Sequence, residues 1–215
     1  MKVIDDGVIK YDRSNFTQCK PIELVEYSAL ECWRKKLFEL NLIGEYAEAR
    51  VGFGNLSETH DYSQFHSSFQ PQFIITGTQT GKYPELNGEF YTRVLDYDID
   101  HLKIKMMGPV EASSEALTHA AIYAHNKNIH AIFHIHSVEI WNGMIQDKSN
   151  FTCKNIPYGT VEMAMATKKC IDTLDFGSFC MHGHEDGVVA FGRNLDEAGK
   201  IIIALYEKYI ALKKL

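Results

Sequence analysis

Apolar and polar positions along the chain switch between two periods. Over 21–43, Leu24, Tyr27, Leu30, Trp33, Leu37 and Leu40 recur every three or four residues. That spacing predicts a helix with one buried face, and Gly44 is a natural stop. Residues 48–59 read as a short strand followed by a glycine-rich turn. Residues 72–86 open as a β-branched strand and run into a Gly/Thr turn, and 88–108 alternate like two strands of a hairpin. A helix is predicted over 113–127, capped by Ser113 or Ser114, with Ala116, His119, Ala120 and Tyr123 on one face. A strand follows at 130–138, then a helix at 160–174, a strand–turn–strand unit at 178–192 and a closing helix at 194–215. Several neighbouring strands have no helix between them, so the pattern predicts an α/β fold: a sheet of mixed direction with helices on its faces.

Composition narrows the classes. The chain has 215 residues, 45% hydrophobic and 23% charged, enough for one sizeable core, and a single domain over 1–215 is expected. A net charge of -6 leaves no basic excess to neutralise a nucleic-acid backbone. A small anionic substrate needs only a local cluster of donors. No apolar run reaches transmembrane length. The N-terminal stretch carries two adjacent acids and no continuous apolar segment, so no signal peptide is read there and a cytoplasmic location is expected. Five scattered cysteines without a CxxC pair fit reduced thiols rather than a disulfide framework.

The histidines change this picture. In "HAIFHIHSV", His134 and His136 fall on one strand face and Ile135 on the other. Two imidazoles at i and i+2 can converge on one tetrahedral cation, although among ten histidines one such pair arises readily by chance. The stretch "MHGHEDG" offers a second pair, His182 and His184, in the next strand–turn region. Three imidazoles from two segments would leave one coordination position open, the catalytic rather than the structural arrangement. His130 shares the parity but lies roughly 13 Å away at strand rise, and is read as structural or surface. His119 and His125 are read as packing histidines on a helix, and His60, His66 and His101 as solvent-facing.

Glu115 lies just inside a predicted helix N-terminus, behind two serines. Such an end favours an anion, yet a plain capping role explains the residue equally well. "GFGNLS" (52–57) has the first two glycines of a dinucleotide fingerprint, but Ser57 stands for the third and no βαβ unit follows, so no Rossmann site is expected. That stretch, through Asn55 and Ser57, and "TGTQTG" (76–81) could offer donors to an oxyanion.

Taken in order, "GFGNLS", "IITGTQTG", "SSEALTHAAIY", "AIFHIHS", "PYGTVEMA" and "HGHEDGVVAFGRNLDEA" resemble the class II aldolase/adducin-head family over nearly the whole chain. The resemblance implies an α/β fold of three layers, α/β/α, with a central mixed, largely antiparallel sheet, and a homotetramer with active sites between subunits. It implies one Zn2+ per chain on His134, His136 and His184. Glu115 would be a fourth ligand at rest and a general base once substrate displaces it. Asn55, Thr80, Gly81, Ser113 and Ser114 would bind phosphate. The implied reaction is retro-aldol cleavage of a small sugar phosphate through a metal-stabilised enediolate.

Two departures stand out. The family's third histidine sits directly before the glycine that opens the last strand, whereas here Asp186 precedes Gly187. His184 lies two residues further back, and His182-Gly183 is the alternative match. The segment between His136 and Tyr158 is also short, with no counterpart of the tyrosine that protonates the aldolase's leaving group. Tyr158 is read as structural. Epimerase, dehydratase and decarboxylase chemistry on a sugar phosphate therefore stay open. So does a non-catalytic assembly module, which would not need the histidines, and a zinc hydrolase, which would not need the phosphate-type turns.

Overall fold

The computed structural model describes residues 7–211. In chain order the elements are β1 (Phe16–Gln18), α1 (Leu24–Glu39), β2 (Gly44–Tyr46), β3 (Val51–Phe53), β4 (Asn55–Thr59), β5 (Phe73–Thr76), β6 (Tyr91–Asp98), β7 (Lys103–Gly108), α2 (Ala116–His125), β8 (Ala131–His136), α3 (Val138–Gln146), α4 (Val161–Ile171), β9 (Gly177–Cys180), β10 (Gly187–Gly192) and α5 (Leu195–Tyr206). Eight strands form one sheet in the order β1-β7-β6-β5-β4-β8-β10-β9, and β2 pairs with β3 separately. Only the edge pair β1–β7 of the large sheet is parallel.

Strand alternation divides the core into two. Leu56, Ile74, Phe133, Ile135 and Val188 face α1, α3 and α5, where Leu30, Ile140 and Ile202 meet them. Phe73, Ile75, Ile132, Val189 and Phe191 face α2 and α4, where Ala120, Tyr123 and Met163 meet them. Burying a large apolar side chain contributes about 1.5–3 kcal/mol, so neither face is dispensable. The result is a three-layer α/β/α fold with a mixed, largely antiparallel sheet, the expected class.

Most predicted elements form. Four elements were not anticipated: β1, β2, β4 and α3. α3 follows β8 with no loop, because Ser137 ends the strand and caps the helix, its Oγ accepting from Ile140 N at 3.3 Å. The expected turn at 52–57 is not a turn. Gly54, at φ +79, breaks one extended run into β3 and β4, and Asn55 to Ser57 are buried strand residues. Of the two serines before α2, Ser113 supports the helix start, its Oγ accepting from Glu115 N at 3.3 Å. Glu115 itself occupies the N-cap and makes no side-chain cap bond. The last four residues of the predicted C-terminal helix, and the first six of the chain, lie outside the described residues. Among the described residues no helix is long and apolar enough to cross a membrane.

Candidate metal centre

β8 lies between β4 and β10, with His134 opposite Asn55 on one side and His136 opposite Gly187 on the other. Parity puts both histidines on the face of Ile132, under α2 and α4. His184 arrives from the short β9–β10 connection, where its N–H donates to Met181 O at 2.9 Å and its carbonyl accepts from Gly187 N at 3.1 Å. Ligand nitrogens of His134, His136 and His184 all lie within 4.8 Å of one another, and all three residues are buried. Gly187 makes this convergence possible. A Cβ there would stand 2.6 Å from His184 Cδ2 and 3.1 Å from His134 Nε2.

His182 is elsewhere. Its ring contacts Trp141 and Phe151, each at 5.6 Å between centroids. His130 is exposed and bonded to Thr59 Oγ1, as read from the spacing. His119 is fully buried, its Nδ1 2.7 Å from Ser57 Oγ, which also meets Tyr123 Oη. Ser57 is therefore a core residue and presents nothing to an oxyanion. His125 is exposed and donates to Asp172 O at 2.8 Å. His101 is exposed, but His60 and His66 are half-buried, His60 stacked on Tyr62 and His66 beside Asp96.

The environments of the three histidines differ. Burial pushes His134 well below the ordinary imidazole range, helped by the neighbouring His136, His184 and His119. Burial does the same to His184, with His136 and Lys10 adding to it. Both rings are thus held neutral, the form that offers a lone pair to a cation. His134 Nδ1 lies 3.2 Å from Asn55 Nδ2, while His134 Nε2 is buried without a hydrogen-bond partner. His136 Nδ1 lies 2.7 Å from Asp186 Oδ1 and 2.7 Å from the Tyr46 hydroxyl.

One pocket collects the residues that the family resemblance assigned to a site: Asn55, Thr80, Gly81, Ser113, Ser114, Glu115 and the three histidines line it. Glu115 is only 3% exposed, and one carboxylate oxygen accepts from Thr118 Oγ1 at 2.9 Å. It stands beside the histidine cluster rather than within it. The Thr80 hydroxyl donates to Gly77 O at 2.8 Å, which tightens the 76–81 turn. Gly81 has no room for a side chain, because a Cβ would lie 2.5 Å from both Gly44 O and Phe53 O. Tyr158 is buried and packs its ring 4.9 Å from that of His184, and its hydroxyl accepts from Val8 N at 3.1 Å.

Two side chains at the cluster escaped the sequence reading. Tyr46 sits on the unanticipated β2 and carried no signal. In the sequence Asp186 stands out only as a mismatch before Gly187, although a carboxylate two residues from a candidate ligand is a usable clue.

With this fold and this cluster described, the class is defined. The family model Class II Aldolase and Adducin N-terminal domain matches residues 41–209, and the chain belongs to that family. Among solved structures it is similar to a sugar-phosphate aldolase from Thermotoga maritima, at 19% identity and TM-score 0.64, covering 88% of this chain and 94% of that one. It is also similar to an L-fuculose 1-phosphate aldolase, at 19% identity and TM-score 0.62, covering 90% and 89%. An aldolase II superfamily protein from Pseudomonas syringae aligns at 13% identity and TM-score 0.56, covering 89% and 76%. At these identities the likeness establishes the fold. No curated protein sequence matches.

Proposed function

We propose that the chain is a zinc-dependent lyase that cleaves a small sugar phosphate by a retro-aldol reaction. The observation that carries this reading is the buried trio His134, His136 and His184, with His134 Nε2 left without a partner, in the same pocket as Glu115 and the Ser/Thr/Gly turns. Three imidazoles with an open position suit catalytic zinc.

The donor set fits a cation on a second count. A histidine that gives Nε2 to a metal carries its proton on Nδ1 and needs an acceptor there. Asn55 Oδ1 is buried without a partner, and rotating that amide by half a turn brings the oxygen to His134 Nδ1. The same rotation satisfies Oδ1 and turns the Asn55 NH2 away from the imidazole, free to donate to an anion.

A divalent ion held there would act as a Lewis acid on adjacent oxygens of a ketose-type substrate. In cleavage the bond between that substrate's α- and β-carbons would break as the β-hydroxyl gives up its proton to become the aldehyde, and Glu115 would deliver a proton to the α-carbon left behind. Thr80, Gly81, Ser113, Ser114 and Asn55 hold the phosphate through hydroxyl, amide and backbone N–H donors, which suits a chain with no basic excess. At the mouth of the pocket a neighbouring subunit of a cytoplasmic homotetramer would complete the site.

The same residues would serve an epimerase, a dehydratase or a decarboxylase, and product analysis separates them. Zinc-loaded protein is incubated with a panel of ketose and sugar-acid phosphates. Release of an aldehyde with a three-carbon ketose fragment is the expected result. Water loss, stereochemical inversion or CO2 release without an aldehyde would replace the cleavage reading by the corresponding one.

A further inference from the structure

We infer that Asp186, backed by Tyr46, is a positioning residue for the metal: it fixes the His136 ring with Nδ1 protonated and Nε2 facing the cluster. The inference rests on the metal reading above. Its evidence is a closed triangle of polar atoms. His136 Nδ1 is 2.7 Å from Asp186 Oδ1 and 2.7 Å from the Tyr46 hydroxyl, which is itself 3.0 and 2.9 Å from the two Asp186 oxygens.

For an ionised carboxylate and a neutral imidazole, proton counting permits one arrangement. A carboxylate only accepts, and a phenol has one proton to give. If Tyr46 gave its proton to Nδ1, a ring lone pair would face Asp186 Oδ1 at 2.7 Å, which is repulsive. Nδ1 therefore carries the hydrogen and donates to Asp186, and Tyr46 donates to the same carboxylate. The lone pair of His136 is left on Nε2, on the side of His134 and His184.

The backbone holds Asp186 in place for this. Its φ of 63 is left-handed, a conformation that Asp and Asn accept more readily than other non-glycine residues. Its carbonyl accepts from Ser137 N at 2.9 Å, tying it to the residue after His136. The Tyr46 ring packs on Phe53 with centroids 4.6 Å apart, and Phe53 packs on His136 at 5.4 Å. The three ligands are thus unequal. His134 meets a neutral amide, whereas His136 meets a carboxylate, which strengthens its hold on a cation. The position that breaks the family pattern before Gly187 has a physical task of its own.

The test uses full-length protein stripped of metal. Zinc affinity is measured by competition with a chromophoric chelator, and the cobalt(II) absorption spectrum is recorded at saturation. Asp186→Asn keeps both shape and backbone preference, and zinc binding is expected to weaken by about 10- to 100-fold, the usual range for such supporting groups. Tyr46→Phe, which removes only a hydroxyl, should weaken it in the same direction by a smaller factor. Both variants should reach the wild-type cobalt spectrum at saturation, because no ligand is lost. Wild-type affinity in Asp186→Asn overturns the inference, as does a changed spectrum at saturation, which would make Asp186 a ligand. Wild-type affinity in Tyr46→Phe removes Tyr46 from it. Failure of wild-type protein to bind zinc or cobalt is a different outcome and overturns the metal reading itself.

Discussion

Asn55 and His134 are register partners on β4 and β8, and their side chains meet at 3.2 Å in the buried floor of the pocket. A residue expected from sequence to hold phosphate thus also touches a candidate metal ligand. Asn55→Ala would strand His134 Nδ1 without a partner, and an unsatisfied buried polar atom costs about 1–3 kcal/mol. Urea denaturation of the variant should show a loss of that size, together with weaker metal retention.

Gly187 is the residue whose absence of a side chain lets the rings approach. Gly187→Ala places a methyl 2.6 Å from His184 Cδ2, so one ring must move. Metal affinity should fall at least about tenfold, since ligand geometry tolerates only small displacements. Circular dichroism should still report the fold, because the strand pairing of β10 with β8 is untouched. Unchanged affinity would mean that the rings converge by another route.

Acid should destabilise the metal-free protein. Burial pushes His119 down to about 3, and His134 and His184 are likewise depressed. The unfolded chain titrates these histidines near 6.5. Below that pH the unfolded state binds more protons than the folded one, so stability is complete above about 6.5 and falls as pH drops towards 3. Each buried histidine contributes a slope of about 1.4 kcal/mol per pH unit inside that window. Urea midpoints at pH 7.5 and 5.5 measure this, and equal stability at both would contradict it.

Much of this site was legible from residue order. The alternation of "FHIH" puts His134 and His136 on one face, and the nine residues that the family resemblance assigned to a site line one pocket. Strand β2 was not legible, being three residues long, with its pairing to β3 supplied by tertiary contacts. Tyr46 went unseen with it. The Gly54 break was read as a turn because glycine signals a bend without saying whether the chain reverses or continues. Helix α3 was missed although Ser137, Ile140, Trp141 and Met144 carry cap and period, since the apolar run of β8 leads straight into it. His119 was identified as a packing histidine, and its bond to Ser57 explains why Ser57 does not face the pocket.

Glu115 separates chemistry from metal binding. It lies outside the histidine cluster, so Glu115→Gln should keep the metal while turnover of the cleaved sugar phosphate falls about 10²- to 10⁴-fold, the usual worth of a general acid–base group. Metal analysis beside steady-state kinetics checks both halves. Loss of metal in this variant would make Glu115 a required ligand.

The central claim is that His134, His136 and His184 hold one metal ion. Elemental analysis of purified protein tests it directly, comparing wild type with His134→Ala, His184→Ala and His182→Ala. About one zinc per chain is expected in the wild type, sharply reduced in the first two variants and retained in His182→Ala. A wild type without metal even after reconstitution, or a loss that follows His182 instead of His184, would contradict the account.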